Sequence, residues 1–274
     1  MENFLGHPAV QGGIAPFVVA LIVVLILHRF RLGGLALVAA FFTTVYFVAG
    51  FTFTPLTATR KIFLLGLAAP VVGILTDFAF KPTRFGALIL ALAGAASVVW
   101  VFGPVLSQKE TAEAWLFGGV AAIAVAWVVG FGQIVLAEHA VRAGAAGLGL
   151  GLGVGVTSIF AASATYGLYG IALGAGAGAF LLVQMITGKK GYAGATFTLP
   201  AMLTAGLVAA AAMVLAKLPW YALLVLALVP AGARLPVPEK APVWLQAALL
   251  SLYALVIAGV ACYFAWHPAG GSLG

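Results

Sequence analysis

Long uninterrupted runs of apolar residues constrain this chain more than any other feature. Charged or Pro- and Gly-containing breaks separate ten such runs, at 14–28, 33–52, 62–78, 85–105, 114–137, 143–164, 167–187, 197–216, 218–233 and 243–266. A helix needs about 20 predominantly apolar residues to cross about 30 Å of hydrocarbon, and only the first and ninth runs are short. An outer-membrane barrel would instead show alternating segments of about 10 residues. The sequence therefore predicts an all-α, polytopic membrane bundle of about ten transmembrane helices.

The scarcity of charge supports the same class. Charged residues make up 7% of the 274-residue chain, whereas a soluble domain carries about 25%. The short breaks leave no room for a soluble domain, so residues 1–274 are predicted to form one transmembrane domain. The lipid bilayer is its first expected partner. We expect the bacterial inner membrane as its location, because the loops are short and no glycosylation or organelle-targeting signal is present.

The Lys and Arg residues indicate an orientation, because positive charge favours cytoplasmic loops. Placing the N-terminus outside gives an inside set and a smaller outside set. The inside set is Arg29, Arg31, Lys81, Arg84, Arg142, Lys189, Lys190, Arg234 and Lys240, and the outside set is Arg60, Lys61, Lys109 and Lys217. Both termini are therefore predicted outside. The net charge of +7 is explained by orientation, and no nucleic-acid partner is expected, since that needs basic residues clustered on a soluble face.

A short pattern occurs twice in the chain. His-x-x-Arg-x-Gly begins at His28 and again at His139, and a hydroxyl pair follows each copy, at 43–44 and at 157–158. These matches predict a parallel 4+4 repeat, with 14–105 equivalent to 114–216 and two helices in 218–266 appended. The alternative is chance similarity between two segments that are both rich in Gly, Ala, Val and Leu.

Glycines at a spacing of four occur in the sixth and seventh runs. They form two sets, Gly147, Gly151 and Gly155, and Gly170, Gly174 and Gly178. Such spacing places glycines on one helix face, where another backbone can approach closely, and this predicts a glycine zipper. Gly149 and Gly153 lie on the opposite face, so the sixth run is expected to be packed from both sides and central. Local unwinding at a transport site is the alternative interpretation.

Six charged or titratable residues lie near the predicted cytoplasmic ends of their runs. They are His28, Arg31, Asp77, Glu138, His139 and Arg142. Ionisable groups inside a membrane are costly and therefore point to function. These residues could couple transport to a proton or cation, or they could form boundary ion pairs with nearby basic residues.

Neutral polar residues are the other candidates for a site. The set favoured as a polar lining is Thr43, Thr44, Gln133, Thr157, Ser158 and Gln184. Ser and Thr often bond their own helix backbone, which a Gln amide does less easily. The alternative role for the whole set is interhelical hydrogen bonding that holds the bundle together.

Catalytic patterns are missing from the sequence. It contains no HExxH zinc pattern, no Gly-x-Ser-x-Gly elbow and no paired carboxylates within a run, and its one cysteine, Cys262, excludes a Cys-rich metal site. We therefore expect no enzyme activity, cofactor or metal. The predicted function is a transporter or permease of a small solute or ion. The alternative is a non-catalytic membrane subunit or scaffold of a larger inner-membrane complex, and either could form homo-oligomers or bind membrane-protein partners.

Overall fold

The structure, a computed structural model, describes residues 6–80, 83–238 and 240–267. Within these ranges the chain forms ten α-helices and no strand, which confirms the all-α prediction for the described residues. The helices are α1 Ala15–Leu27, α2 Leu35–Ala49, α3 Ala58–Phe78, α4 Arg84–Leu106, α5 Thr111–Phe131, α6 Ala140–Phe160, α7 Ala164–Thr187, α8 Gly194–Leu215, α9 Trp220–Gly232 and α10 Val243–Trp266. A π-helical turn precedes α1 at Val10–Ile14, and another extends α5 at Gly132–Leu136.

Eight helical segments of the described chain are long and apolar enough to cross a membrane. The two shorter apolar helices are α2 and α9. This helix pattern is compatible with a polytopic membrane protein. Lys81, one of the predicted inside set, lies outside the described residues.

The prediction of which runs are short is wrong in two places, the first run and the second. The first run gains the π-helical turn before α1 and a 3-10 turn after it, so Val10–Phe30 is a 21-residue helical segment. The second run gives only 15 helical residues, because Gly50 takes a φ of +65° and ends α2. Apolarity continues to Thr52 in the sequence, but the helix does not.

Successive helices run in alternating directions. The α1–α2, α5–α6, α7–α8 and α9–α10 connections and the end of α3 meet at one end of the bundle, which we call the basic end. The contacts that join them are Arg31 with Tyr192, Tyr192 with Asp77, Gly194 with Ala137, and Arg142 with Ala233. Contacts at the opposite end join Thr59 with Tyr166, Lys61 with Trp100, and Lys217 with Ala161. Which end faces the cytoplasm stays a prediction.

Helix α8 is the centre of the bundle. Within its most apolar 18-residue window, 94% of the residues are buried, against 72% for α6. Helices α3, α5, α6 and α7 pack around it. The sixth run was expected to be central, and α6 is instead the second most enclosed helix. Small side chains along all faces of α8, mainly Ala, Thr and Gly, permit this enclosure.

The proposed repeat is not confirmed. In a 4+4 arrangement, α2 and α3 would pack together as α6 and α7 do. Helices α6 and α7 pack along their lengths, whereas α2 and α3 touch only slightly. The repeat stays a prediction from the sequence.

Candidate functional site

The first turn of α8 is capped by a carboxylate from another helix. Asp77, near the end of α3, accepts hydrogen bonds from the Ala195 amide at 2.8 Å, the Thr196 amide at 2.7 Å and Thr196 Oγ1 at 2.6 Å. A helix N-terminus has unpaired N–H groups and a partial positive charge, so an anion is favoured there. Asp77 makes no ion pair with the described Lys and Arg residues, and its partner is the end of the central helix.

Two glycines allow α3 and α8 to approach at this cap. Gly194 has a φ of +58°, and a Cβ there would collide with the Asp77 carboxylate. A Cβ on Gly73 of α3 would lie 2.6 Å from the Ala195 carbonyl oxygen. Any larger residue at either position would therefore push Asp77 or α3 away from the start of α8.

Tyr192 links the cap to the α1–α2 connection. Burial raises the pKa of the Tyr192 hydroxyl, and the charge of Asp77 and a hydrogen bond with it raise the pKa further, while Arg31 lowers it. The guanidinium carbon of Arg31 lies 5.5 Å from the centre of the Tyr192 ring, a cation–π distance. The Tyr192 phenol thus stays neutral at physiological pH, between an anion and a cation.

A cavity of about 750 Å³ opens at the basic end beside these residues, and we call it the basic cavity. Its inner wall is apolar and comes from α1 and α7, through Val24, Phe180 and Val183. Phe180 lies seven residues before Thr187, the last residue of α7, which is a depth of about 10 Å along the helix. This depth is about a third of the roughly 30 Å thickness of a bilayer's hydrocarbon layer.

The outer wall of the basic cavity is polar and basic. It is formed by His28, Arg31, Gln184, Lys189, Lys190 and Tyr192. Sequence analysis named His28 and Arg31 as boundary charges and Gln184 as lining, and the structure places these three on one cavity.

Gln184 is buried and braces the α7–α8 connection. Its Oε1 accepts a hydrogen bond from the Gly191 amide at 3.1 Å, and its Nε2 donates to the Phe180 carbonyl at 3.4 Å. An amide nitrogen carries two hydrogens, so one donor remains for the cavity.

Gln133 lies on a different cavity. Its Nε2 donates to Thr198 Oγ1 of α8 at 2.9 Å, and it lines a second cavity of about 670 Å³ whose wall is mainly apolar, with Phe80, Phe85 and Ile89. Gln133 and Gln184 therefore do not share a lining.

The four hydroxyl candidates line neither cavity. Thr43 and Thr157 donate to carbonyls of their own helices, those of Ala39 and Gly153. Thr44 donates to the Gln11 carbonyl at 2.6 Å and ties α2 to the turn before α1. Ser158 is fully buried, and its hydroxyl has no hydrogen-bond partner in the described part of the chain. The six predicted lining residues are thus not brought together.

The remaining charged candidates lie at the basic end beside the basic cavity. Glu138, His139 and Arg142 line a small cavity of about 90 Å³ that also includes Lys190. The Arg142 guanidinium donates to the Ala233 carbonyl at 2.7 Å and the Leu235 carbonyl at 3.0 Å. Arg142 therefore tethers the α9–α10 connection.

Glycines line both packed faces of α6. On the α7 side, added Cβ atoms would collide with backbone at three pairs, Gly151 with Gly174, Gly155 with Ile171, and Gly170 with Gly155. Gly147 also faces α7, with Ala177 Cβ at 3.0 Å, and Gly178 has room, with Leu148 at 3.5 Å. On the other face, added Cβ atoms of Gly149 and Gly153 would lie 2.6 Å and 2.9 Å from the Cβ atoms of Ala254 and Ala258 in α10.

An aromatic cluster lies between α2, α3 and α7. The rings of Phe41, Phe63 and Tyr169 pack edge to face, with centroids 5.4 to 6.1 Å apart. Tyr166 extends the cluster and its hydroxyl lies 3.0 Å from Thr59 Oγ1. The Tyr169 hydroxyl is buried without a hydrogen-bond partner among the described residues. The cluster packs these three helices against one another away from the basic cavity.

Sequence reasoning missed Tyr192 and Gly194 as parts of the site, and it treated Lys189 and Lys190 only as orientation signals. The available signal was a connection, 188–194, that combines three glycines with two lysines and one tyrosine. Its partners Asp77 and Arg31 are distant in the sequence.

No protein-family model matches this chain, and no curated protein is detectably similar to it. The class that the fold defines is that of a helix bundle with the pattern of a polytopic membrane protein. Its function has to be argued from the site.

Proposed function

We propose that the protein is a membrane transporter of a small solute, and that the solute binds in the basic cavity. The observation that carries this proposal is the cavity itself, which is about 750 Å³ and combines an apolar inner wall with polar groups at its opening. Ligand sites in proteins are commonly concave, of about 300–1,000 Å³, with a few placed polar groups on an apolar lining.

A cavity that opens at one end of the bundle fits transport by alternating access. The basic cavity opens at the basic end, and its lining reaches Phe180. A transporter in one of its two states exposes its site to a single side of the membrane. We therefore assign the basic cavity to a state that is open at the basic end.

A second candidate is a non-catalytic membrane subunit or scaffold. The observation that favours it is that the predicted polar lining does not converge, since Thr43 and Thr157 bond their own helices and Gln133 bonds Thr198. A transporter with a polar path through its centre would bring such groups together.

The test is solute uptake by the purified chain in proteoliposomes, using a mixture of small metabolites read out by mass spectrometry. We expect at least one solute to accumulate relative to protein-free liposomes. Gln184→Leu should reduce this uptake at least about tenfold, because it removes the hydrogen bond that Gln184 accepts from the Gly191 amide in the cavity wall. Thr43→Val is the matched control, since Thr43 bonds its own helix and lies outside the cavity, and it should leave uptake unchanged.

Two results would contradict this proposal, the first by excluding transport and the second by excluding the basic cavity as its path. One is no accumulation by folded protein, together with stoichiometric co-purification of another membrane protein, which would favour the subunit. The other is uptake that Gln184→Leu and Thr43→Val reduce equally, which would move the path away from the basic cavity.

A further inference from the structure

We infer that the basic cavity takes an amphipathic anion, in which a phosphate or carboxylate group is joined to an apolar portion. This inference names the substrate class of the site and rests on the proposed function for its transport step. The binding step can be measured without it.

The charge of the cavity wall has one sign. Arg31, Lys189 and Lys190 line it as cations, and His28 joins them when protonated. None of the described acidic residues lies on this wall. A cleft lined by charges of one sign between low-dielectric walls attracts ligands of the opposite charge.

The nearest carboxylates are already occupied or face elsewhere. Asp77 reaches the wall only through Tyr192, and its oxygens accept the hydrogen bonds of Ala195 and Thr196. Glu138 lies on the neighbouring small cavity, which it shares with Lys190. Arg31 and Lys189 are the two cations that line the basic cavity and not the small one.

Arg31 is held in place for this role. Its backbone takes a φ of +62°, which turns the chain at the end of the 3-10 turn, and its guanidinium lies against the Tyr192 ring at 5.5 Å. A guanidinium stacked on an aromatic face keeps N–H groups at its edge that bind phosphate or carboxylate in two-pronged fashion.

His28 adds a further polar group to the wall, and its ring is fixed by a hydrogen bond. Its Nδ1 lies 2.9 Å from the Leu25 carbonyl, which can only accept, so Nδ1 carries a hydrogen.

The inner wall accounts for the apolar portion of the ligand. Val24, Phe180 and Val183 are all buried, and the Phe180 ring is fixed by stacking on Phe197 with ring centres 4.5 Å apart. A small inorganic anion held by the cations at the opening would not contact this wall. A ligand with an apolar chain would cover it and place its charged group at Arg31 and Lys189.

The test measures binding of hexyl phosphate to the purified full-length chain in phosphatidylcholine nanodiscs by isothermal titration calorimetry, with hexanol and inorganic phosphate as comparison probes. We expect saturable binding of hexyl phosphate and much weaker binding of the other two, because each lacks one half of the ligand. The double variant Arg31→Gln, Lys189→Gln should weaken hexyl phosphate binding at least about tenfold, since hydrogen bonds to charged groups are strong.

The matched control is Arg29→Gln. Arg29 stacks on Phe30 with its guanidinium carbon 5.6 Å from the ring centre and does not line the cavity, so this variant should bind as the wild type does. Absence of saturable hexyl phosphate binding to the wild type would overturn the inference, and so would equal affinity in the double variant. Equal affinity of hexanol and hexyl phosphate would overturn it without any variant.

Two further comparisons complete the test. The first identifies whether the anion is a lipid headgroup or a soluble molecule, and the second distinguishes failure of the anion site from failure of transport. Competition by phosphatidylglycerol mixed into the nanodiscs would identify a lipid headgroup as the ligand, and lack of competition would identify a soluble organic anion. Either result supports the anion site.

Hexyl phosphate binding with no solute entering proteoliposomes would support the anion site and overturn the proposed transport function. Uptake of a neutral solute through the cavity, without hexyl phosphate binding, would overturn the anion site and leave the proposed transport function standing.

Discussion

Single residues decide how the central helix begins. Gly194 combines a left-handed backbone with a position directly against the Asp77 carboxylate. Gly188, at the end of α7, has a similar φ of +64° but open space around it. Substitutions at these two glycines therefore distinguish two free-energy costs. Both include the cost of a side chain on a left-handed backbone, and only the one at Gly194 includes the cost of displacing Asp77.

We expect Gly194→Ala to destabilise the protein by about 1–3 kcal/mol more than Gly188→Ala. In both variants an alanine must adopt a left-handed backbone, but only Gly194→Ala also displaces the Asp77 carboxylate from the start of α8. Thermal unfolding of the purified chain in one detergent measures the difference. Equal midpoints for the two variants would show that the Asp77 contact contributes nothing to stability.

Two neighbouring tyrosines of α7 have opposite hydrogen-bonding states. The Tyr166 hydroxyl is paired with Thr59 at 3.0 Å, and the Tyr169 hydroxyl is buried without a partner in the described part of the chain. A buried unpaired hydroxyl costs free energy that a phenylalanine avoids. Tyr169→Phe should leave the unfolding midpoint unchanged or raise it, while Tyr166→Phe should lower stability by about 0.5–1.5 kcal/mol. An equal loss in both variants would indicate that a buried water pairs with Tyr169.

At the scale of elements, the α6–α7 hairpin depends on which glycines face backbone. A Cβ on Gly151 would collide with the backbone of Gly174, whereas a Cβ on Gly178 would meet only Leu148 at an ordinary distance of 3.5 Å. We expect Gly151→Ala to destabilise by about 1–3 kcal/mol through this collision. Gly178→Ala should be neutral or stabilising, since Ala is the better helix former by about 1 kcal/mol. Thermal unfolding checks both, and a tolerated Gly151→Ala would mean that the two helices can separate at no cost.

The elements also show what a sequence of this kind can and cannot predict. Ten apolar runs predicted ten helices, because nothing except a helix satisfies the backbone of such a run in lipid. The end of α2 at Gly50 was missed because apolarity does not report a backbone turn. The central position of α8 was missed because a helix that is apolar on all faces has no periodic pattern of polar and apolar residues. Such a pattern is what would indicate which face packs against other helices.

The candidate site was predicted in part for a similar reason. His28, Arg31 and Gln184 were chosen as charged or polar residues at depth, and they line one cavity. Tyr192 was not chosen, since its role comes from Asp77 and Arg31, which reach it only in the folded chain. Local patterns identify groups that are costly to bury, and tertiary contacts decide which of them meet.

For the whole molecule, we propose that the ten helices of the described residues alternate across a membrane with the basic end in the cytoplasm. The two short helices test it most severely. Helix α9 has 13 residues and α2 has 15, which correspond to about 20 Å and about 22 Å at 1.5 Å per residue. Helices shorter than the hydrocarbon layer can still cross when the bilayer thins or flanking residues extend to the interface.

The most direct measurement is labelling of single cysteines in intact cells with a membrane-impermeant thiol reagent, in a Cys262→Ala background. Lys217→Cys and Lys240→Cys flank α9, and Leu56→Cys and Arg29→Cys flank α2; all four positions are exposed in the structure. We predict that Lys217→Cys and Leu56→Cys are labelled in intact cells, and that Lys240→Cys and Arg29→Cys are labelled only after permeabilisation. Labelling of both members of either pair from the same side would contradict the alternating bundle, and reversal of both pairs would place the basic cavity outside the cell.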